Sequence, residues 1–246
     1  MKNVAIFLSG GTGTRVGADL PKQYLKAGGH MMATYALKPL LNSDRIDAVV
    51  IVAEKEWQES ILSDAKSAGM PTEKICAFAL PGKNRQLSIL NGMTEIEKSV
   101  HNLFMVTGTI TVHDAARPFL SVEFLDRIFD ALPGHDGVMP VLPMKDTVYY
   151  SEDGKSVGKL LEREKIFAGQ APELFVFDKY LKANRDLLPD RILGINGSSE
   201  PAIIAGMDIA MIPGDEKNIK ITTTDDLAIF KALLHASPDE WSGHLL

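Results

Sequence analysis

The feature that most constrains this chain is an apolar run, Val4–Leu8, followed at once by a glycine-rich segment at 9–17. The run is short and ends at glycines, which predicts a buried strand rather than a helix. Glycines allow positive φ and close approach of a ligand, so such a loop can direct several backbone N–H groups at a phosphate chain. We favour this interpretation over an ordinary strand-to-helix turn. The loop residues expected to contact phosphate are Gly10, Gly11, Thr12 and Gly13.

Spacing separates this loop from two common phosphate loops. In a dinucleotide-binding G-x-G-x-x-G pattern counted from Gly11, the third glycine would fall on Val16, and Gly17 comes one residue late. A Walker-type loop ends in Gly-Lys-Ser/Thr, which is absent here. Two basic residues, Arg15 and Lys22, would instead add positive charge along the loop. This pattern, with Lys22 in a Pro-Lys-Gln triplet, resembles nucleotidyltransferases that join an NTP to a sugar phosphate or polyol phosphate.

Composition excludes several classes of protein. The 246 residues are 45% hydrophobic and 24% charged, an ordinary globular balance, and the net charge of −6 argues against general nucleic-acid binding. No apolar run approaches the roughly 20 residues of a membrane span. A single cysteine, Cys76, excludes an intrachain disulfide framework and a thiolate zinc cluster. We therefore expect a cytoplasmic protein without membrane or nucleic-acid partners.

Strand-like and helix-like segments alternate along most of the chain. This alternation predicts an α/β fold with a mostly parallel sheet covered on both faces, built as one domain over 1–246 with a loosely held tail at 235–246. Ligands of such sheets bind beyond the C-terminal ends of the strands, which places the segments 10–22, 82–88 and 114–117 along one edge. Strands are predicted at 46–53, 75–80, 109–112, 137–142 and 208–212, and helices at 31–41, 56–68, 84–98, 121–132 and, with Thr224 as N-cap, 224–234.

Residues 143–170 interrupt this rhythm. Thr147–Tyr150 is strand-like, Asp153-Gly154 favours a tight hairpin turn, and 156–163 could be the returning strand. An isolated two-stranded hairpin is marginal in water. This arm must therefore pack either on its own domain or on a partner chain, which would make a dimer, and both alternatives stay open.

Three further segments contain side chains that could bind a metal ion or an anion. Asp114 follows a strand and faces the phosphate loop, which suits Mg²⁺ better than a simple pairing with Arg117, while His113 beside it is more typical of a structural role. Arg85 and Ser88 lie one turn apart at a helix start, where the partial positive charge favours anions. Lys220 lies in the β-rich run Asn218–Thr222 and is either a surface lysine or a third phosphate-binding charge.

Together these segments resemble the cytidylyltransferase family that includes the 2-C-methyl-D-erythritol 4-phosphate and ribitol-5-phosphate cytidylyltransferases. The resemblance spans nearly the whole chain. It implies a Rossmann-like nucleotidyltransferase domain, a three-layer sandwich with a protruding β-hairpin arm that exchanges across a homodimer. It also implies a reaction of CTP with a polyol phosphate, with Mg²⁺ as cofactor, giving a CDP-polyol and pyrophosphate by in-line attack on the α-phosphorus. The matching segments include Gly82-x-x-Arg85-x-x-Ser88, His113–Pro118, Asp146-Thr147, Arg163 and Asn218–Thr222.

The resemblance also implies roles for single residues. Arg15, Lys22 and Lys220 would bind and stabilise the CTP phosphates. Gly82 and Ser88 would recognise cytosine, with Arg85 supporting that loop, and Asp114 would hold Mg²⁺. The acceptor phosphate would be bound by Arg117, Thr147 and Arg163, the last two from the neighbouring chain, with a hydroxyl from Ser198.

Departures from the family pattern lie on the acceptor side. Ala171 and Glu173 replace threonine and glutamine of a Gln-Thr-Pro-Gln segment, and Ser199 replaces the middle carboxylate of Thr-Asp-Asp/Glu. The Ser-Gly-Gly start of the loop and the lack of a lysine after Thr147 favour the ribitol-phosphate branch. A nicotinamide-dependent oxidoreductase, which the position of Gly17 disfavours, and a non-catalytic nucleotide-sensing module are the alternatives.

Overall fold

The computed structural model describes residues 2–11, 20–103 and 107–236, without the side chains of 100–103. Its strands are β1 (Lys2–Leu8), β2 (Lys26–Ala27), β3 (His30–Met31), β4 (Ala48–Val52), β5 (Ile75–Ala79), β6 (Thr107–Asp114), β7 (Gly137–Pro143), β8 (Tyr149–Tyr150), β9 (Lys159–Leu160), β10 (Phe167–Gly169), β11 (Glu173–Val176) and β12 (Ile209–Pro213). Its α-helices are α1 (Met32–Asn42), α2 (Lys55–Ser67), α3 (Arg85–Leu103), α4 (Val122–Asp130), α5 (Phe177–Arg185), α6 (Glu200–Ile204) and α7 (Thr224–Ala236).

One eight-stranded sheet organises these elements. Its order is β10-β7-β11-β6-β1-β4-β5, with β12 also paired to β7. The strands β6, β1, β4 and β5 run parallel, whereas β11 lies antiparallel between β6 and β7. The predicted α/β fold with a mostly parallel sheet is confirmed, and the antiparallel β11 makes the sheet mixed.

Each face of the sheet is covered by helices. Alternate residues of a strand point to opposite faces, so Phe7 packs with α1, α2 and α4, while Ile6 packs with α3 and α5. A smaller cluster joins α7 to α1 through Phe230 and Tyr35. Because both faces of the sheet are buried, the polar groups that can bind a ligand lie at the ends of the strands.

The prediction near the last helix was wrong in one detail, the residue that caps it. The β-rich run Asn218–Thr222 before the helix forms no strand; it is held by single bonds such as that from Ile221 N to Ala116 O, 2.8 Å. The cap of α7 is Thr223 rather than Thr224, since the Thr223 hydroxyl accepts from Asp226 N at 3.1 Å. Asp226 in turn accepts from the N–H of Thr223 at 2.8 Å, which closes a reciprocal capping box.

The predicted hairpin is present, with shorter strands than expected. β8 and β9 pair antiparallel in a sheet of their own, and 163–165 forms a 3₁₀ turn rather than the end of a strand. Gly154 adopts φ +67°, and Asp153 accepts from the N–H groups of Lys155 and Ser156 at 2.8 Å, which fixes the turn. None of the helices in the described part combines the length and apolar character needed to cross a bilayer.

Candidate active site

A cavity of about 450 Å³ opens beyond the C-terminal ends of β1, β5 and β6. It brings together the three segments that the sequence placed along one edge of the sheet. The loop after β1 contributes Gly10 and Gly11. The loop after β5 and the start of α3 contribute 81–85 and Ser88, and the end of β6 contributes 114–116. The cavity is completed by Lys22, Gln23, Lys220 and Thr222.

The glycine loop lies directly against the loop after β5. A Cβ built on Gly10 would stand 2.3 Å from Cγ of Pro81, so no side chain fits there. The carbonyl of Ser9 accepts from Gln23 Nε2 at 2.8 Å and from the Tyr24 hydroxyl at 2.6 Å. The described part of the loop is thus held on both sides. The predicted site residues Thr12, Gly13 and Arg15 lie outside the described residues.

The loop after β5 is shaped by the start of α3. Asn84 Oδ1 accepts from Leu87 N at 2.8 Å, which caps the helix. The Ser88 hydroxyl accepts from Gly82 N at 3.0 Å. A Cβ on Gly82 would lie 2.3 Å from Cβ of Leu87 and 2.9 Å from Ser88 N, so only glycine permits this turn. Gly82 and Ser88 are therefore held together at the cavity wall, beside a helix N-terminus that carries partial positive charge.

Asp114 lies at the end of β6 between two cations. Arg85 Nη2 lies 2.8 Å from its Oδ1, and Lys220 Nζ lies 2.8 Å from its Oδ2. Burial by itself would raise the pKa of Asp114, but Arg85 and Lys220 outweigh that effect and hold it far below its usual range. Asp114 is therefore a carboxylate at any physiological pH. Its arginine partner is Arg85, and not the sequence neighbour Arg117 considered above.

The two lysines of the site meet through one short segment. Ile221 is fully buried against Phe230, which leaves the side chain of Lys220 free to reach Asp114. Lys22 Nζ donates to the Ile221 carbonyl at 2.5 Å. The segment 220–221 thus brings Lys22 and Lys220, which are remote in sequence, to the same cavity. Among the described lining residues, basic side chains outnumber the single carboxylate, and they are Lys22, Lys83, Arg85 and Lys220.

The residues expected to bind the acceptor do not line this cavity. Arg117 is buried, with Nη1 donating to Asn218 O at 2.7 Å and Nε without a hydrogen-bond partner among the described residues. Ser198 is buried, and its carbonyl accepts from the Tyr180 hydroxyl at 2.7 Å. Thr147 and Arg163 lie on the exposed arm, where Arg163 Nη1 donates to Lys145 O at 3.0 Å. Within the described part of one chain, then, these four residues lie outside the cavity that holds Asp114 and the lysines.

Two buried titratable groups flank the site. His113 Nε2 donates a hydrogen bond to Arg117 O at 3.2 Å, and burial lowers the pKa of His113 to about 4. His113 pairs in register with Phe7 of β1, and its side chain points to the face of the sheet opposite that of Asp114. Glu173 lies opposite Val112, which places it on the same face as Asp114. Burial raises the pKa of Glu173 to about 7, and its carboxylate accepts a hydrogen bond from Ser199.

In the sequence, Glu173 and Ser199 are visible only as separate departures from the family pattern, and Tyr24 does not stand out. The pairing of Glu173 with Ser199 depends on the register of β11 and could not be read from either segment. Tyr24 follows directly after the Pro-Lys-Gln triplet, so its position was the one available signal.

Comparisons with known proteins find relatives over nearly the whole chain. A family model described as 2-C-methyl-D-erythritol 4-phosphate cytidylyltransferase matches residues 3–236. The curated protein of that name from Thermotoga neapolitana is 30% identical over 234 residues, which cover 94% of this chain and 96% of the relative. A ribitol-5-phosphate cytidylyltransferase from Streptococcus agalactiae serotype V is 26% identical over 244 residues, covering 98% of each chain.

A solved structure has the same fold. The 2-C-methyl-D-erythritol 4-phosphate cytidylyltransferase of Francisella tularensis superposes with a TM-score of 0.77, covering 94% of this chain and 99% of the other. At 22% sequence identity this likeness shows the architecture alone.

Proposed function

The chain belongs to the 2-C-methyl-D-erythritol 4-phosphate cytidylyltransferase family, and from that premise we propose which of its residues carry the reaction and which acceptors it uses. It is a CTP-dependent cytidylyltransferase that joins a polyol phosphate to CMP and releases pyrophosphate. The observation that carries the residue assignment is the convergence of Lys22, Arg85, Asp114 and Lys220 on one cavity beside the glycine loop.

CTP binds with its triphosphate against the glycine loop and the lysines. Gly10 and Gly11 present backbone to the cavity without a side chain in the way, and Lys22 and Lys220 supply positive charge. The base lies against the loop at Gly82 and Ser88, whose bonded arrangement gives a rigid polar edge. We also assign Arg15, Thr12 and Gly13 to the triphosphate, on the family pattern of the loop.

The chemical step is attack by an acceptor phosphate oxygen on the α-phosphorus of CTP, with pyrophosphate leaving. The attacking oxygen is already an anion, so the step needs no general base, and buried His113 is not used. Lys22 and Lys220 stabilise the negative charge that builds up around the α-phosphorus and on the leaving group. Arg85 keeps Asp114 oriented while the nucleotide binds.

Asp114 is the residue proposed to hold Mg²⁺. Within the described residues, no cluster of three or more acidic, histidine or cysteine side chains could hold a metal by itself. Mg²⁺ commonly uses one or two carboxylates together with substrate phosphates, and a single ionised Asp114 at the edge of the cavity fits that pattern. Arg85 or Lys220 would have to release one carboxylate oxygen. When bound, the ion would neutralise phosphate charge.

Two acceptors are proposed, and a separate observation favours each. The matched family model and the relatives at 30% identity favour 2-C-methyl-D-erythritol 4-phosphate. The Ser-Gly-Gly start of the loop, the valine after Thr147 and the ribitol-5-phosphate relatives favour ribitol 5-phosphate. In both cases the acceptor phosphate would be held by Arg117 and Ser198, together with Thr147 and Arg163 from a second copy of the chain.

The arm supports the proposal of a homodimer. Its apolar side chains are largely exposed in the single chain, with 70% of Val157 and 62% of Leu160 accessible. A two-stranded hairpin with so little packing needs a partner surface. We propose that the arm packs on a second copy and that the enzyme is cytoplasmic, as its single cysteine suggests.

Pyrophosphate release tests this function directly. The purified protein is incubated with Mg²⁺, with CTP, ATP or UTP, and with each of the two polyol phosphates in turn. We expect release with CTP and one of the acceptors, and much slower release with ATP and UTP. The absence of pyrophosphate in all combinations would refute the proposed reaction, and equal rates with all three nucleotides would refute the proposed base recognition.

A further inference from the structure

Two neighbouring side chains donate hydrogen bonds to carbonyl groups in the described part of the glycine loop. Ser9 O accepts from both Gln23 Nε2, at 2.8 Å, and the Tyr24 hydroxyl, at 2.6 Å. Gly11 O accepts from the same Gln23 amide at 2.6 Å. Gln23 and Tyr24 are each only 3% exposed. Two consecutive buried side chains thus fix the direction of two carbonyls in the described part of the loop.

Fixing a carbonyl also fixes the amide that follows it. A peptide unit is planar and trans, so the C=O of Ser9 and the N–H of Gly10 point in opposite directions. Since Ser9 O points to the 3₁₀ turn at Lys22–Tyr24, Gly10 N–H points to the other side, and Gly10 lines the cavity. Gly10 N–H donates to no acceptor within the described residues, whereas Ser9 N donates to Val52 O at 2.8 Å.

Tyr24 is itself held rigidly. Its ring stacks on Trp57 of α2 with centroids 4.1 Å apart and planes 16° from parallel. The Tyr24 phenol is protonated at neutral pH and can donate, and burial raises its pKa further above the ordinary value. The same turn carries Lys22, so the lysine and the loop backbone are fixed relative to one another.

We propose that Gln23 and Tyr24 are positioning residues for the nucleoside triphosphate: they hold the Ser9 and Gly11 carbonyls away from its phosphates, so that Gly10 N–H faces them. Without these donors the carbonyl oxygens could turn toward the cavity, where they would repel an anion. This inference rests on the proposed function only in that the ligand is a triphosphate. It adds a reason why Lys22 is followed by glutamine and an aromatic residue that carries a hydroxyl.

The test compares two tyrosine variants that each lose a hydroxyl donating to a backbone carbonyl. Tyr24→Phe removes the hydroxyl that donates to Ser9 O and also accepts from Ser9 Oγ at 3.2 Å, and it keeps the ring on Trp57. Tyr35→Phe is the matched control, because the buried Tyr35 hydroxyl donates to Ala27 O at 2.7 Å and Tyr35 does not line the cavity. The dissociation constants of CTP and pyrophosphate are measured by calorimetry without acceptor, and KM and kcat are measured with it.

We expect Tyr24→Phe to weaken CTP binding by about tenfold, the effect of roughly one hydrogen bond on affinity. KM for CTP should rise by a similar factor while KM for the acceptor stays unchanged. Tyr35→Phe should change neither constant by more than about twofold, although both variants should lose similar thermal stability. Gln23→Met, which keeps the length of the side chain but has no donor, should weaken binding further.

Equal CTP affinity in Tyr24→Phe, Tyr35→Phe and the wild type would overturn the proposal and leave Tyr24 a purely structural role. If Gln23→Met does not fold, the two tyrosine variants still decide. A wild-type protein that binds CTP but transfers nothing would refute the proposed function, and the binding comparison would still decide the roles of Gln23 and Tyr24. A wild-type protein that binds neither CTP nor pyrophosphate would refute both.

Discussion

At the scale of single residues, the centre of the site is a carboxylate shared by two cations. Asp114 contacts Arg85 from the start of α3 and Lys220 from the segment before α7. Removing one partner of a buried charge pair leaves the other uncompensated, so each contact matters for the site as well as for the ligand. Lys220 is the more exposed of the two cations, with 40% of its side chain accessible, which makes it the one better able to move toward a phosphate.

Replacing either lysine should reduce the rate of the reaction, and Lys220→Ala should also lower stability because it removes one partner of Asp114. We expect Lys22→Ala and Lys220→Ala to lower kcat/KM by about 10²–10³, because each removes charge that stabilises the transferring phosphoryl group. Lys182→Ala, which breaks an exposed pair with Asp186 on α5, is the control and should act like the wild type. Pyrophosphate release and circular dichroism provide the measurements. Turnover at the wild-type rate in either cavity variant would contradict the assignment.

The buried Glu173 should make the free energy of unfolding depend on pH. Its folded pKa of about 7 lies above its ordinary value near 4.5, because burial and Asp114 disfavour the charged form more than Arg85 favours it. Glu173 therefore contributes its full share to the free energy of unfolding below about pH 4.5. This contribution is lost as pH rises through 7, by up to about 3 kcal/mol. Glu173→Gln should remove this loss, so its advantage over the wild type in urea unfolding should grow between pH 5 and pH 8.

The control for this variant is Glu162→Gln, which changes a carboxylate that is 73% exposed on the arm. It should leave the pH dependence of unfolding unchanged. A constant difference between Glu173→Gln and the wild type at pH 5 and pH 8 would show that Glu173 does not titrate in this range.

The sequence predicted which residues belong to the site better than it predicted their partners. The alternation of strands and helices was sufficient to place Lys22, Gly82 and Asp114 at one edge of the sheet, whereas the residues around Lys220 left its place open and only the family resemblance brought it to the phosphates. The choice of Arg85 rather than Arg117 as the partner of Asp114 was not predicted, since it depends on where α3 begins relative to β6. The position of a motif is a local property, whereas the pairing of side chains depends on register between distant segments.

At the scale of elements, the site depends on two loops in direct contact. Gly10 lies against Pro81, so the loop after β1 and the loop after β5 cannot move independently. The start of α3 fixes the second loop through Asn84 and Ser88, and the turn at Lys22–Tyr24 fixes the first. The triphosphate and base parts of the cavity are thus set by one packed contact.

The contact between Gly10 and Pro81 predicts that adding even a methyl group at position 10 changes both stability and binding. In Gly10→Ala the new Cβ would lie 2.3 Å from Pro81 Cγ, so the loops must separate. We expect a loss of about 1–3 kcal/mol in the free energy of unfolding, typical of overpacking, and at least a tenfold rise in KM for CTP. Gly194→Ala, where no atom lies within 4 Å of the new Cβ, should change neither. Similar kinetics in the two variants would contradict the proposed coupling.

The sequence predicted elements well where periodicity was strong. Helices α1 to α4 lie within a few residues of their predicted positions, apart from the end of α3. Neither β11 nor α5 was predicted, since β11 is four residues long, begins with a buried glutamate and lies antiparallel between two distant strands. Asn218–Thr222 has strand-like residues, but it bonds to Ala116 beyond the end of β6 instead of a strand in the sheet.

At the scale of the whole molecule, one chain leaves its proposed site incomplete. Arg117 and Ser198 lie in the body of the domain, whereas Thr147 and Arg163 are exposed on an arm whose apolar residues lack packing. A homodimer with two-fold symmetry would resolve both observations, because each arm would cover its partner and each site would take residues from two chains. The sequence left the arm with two alternatives, and the exposure of Val157 and Leu160 favours the second.

Disrupting the arm should therefore give monomers. In sedimentation analysis we expect the wild type at the mass of two chains and Val157→Asp/Leu160→Asp at the mass of one. Ile203→Asp is the matched control, because Ile203 is an equally exposed aliphatic residue, 61% accessible, on α6. The control should remain a dimer, and a monomeric wild type at micromolar concentration would refute the proposed assembly.

Mixing two inactive variants tests whether the arm completes the partner's site. Arg163→Ala should bind acceptor poorly in every site, and Lys220→Ala should fail in every cavity. In a mixed dimer, however, the cavity of the Arg163→Ala chain keeps its lysine and receives an intact Arg163 from the arm of its partner. Random reassociation of equal amounts makes half the dimers mixed, each with one intact site, so about a quarter of wild-type activity should return. If Arg163 served its own chain, both sites of a mixed dimer would carry one lesion and no activity would return.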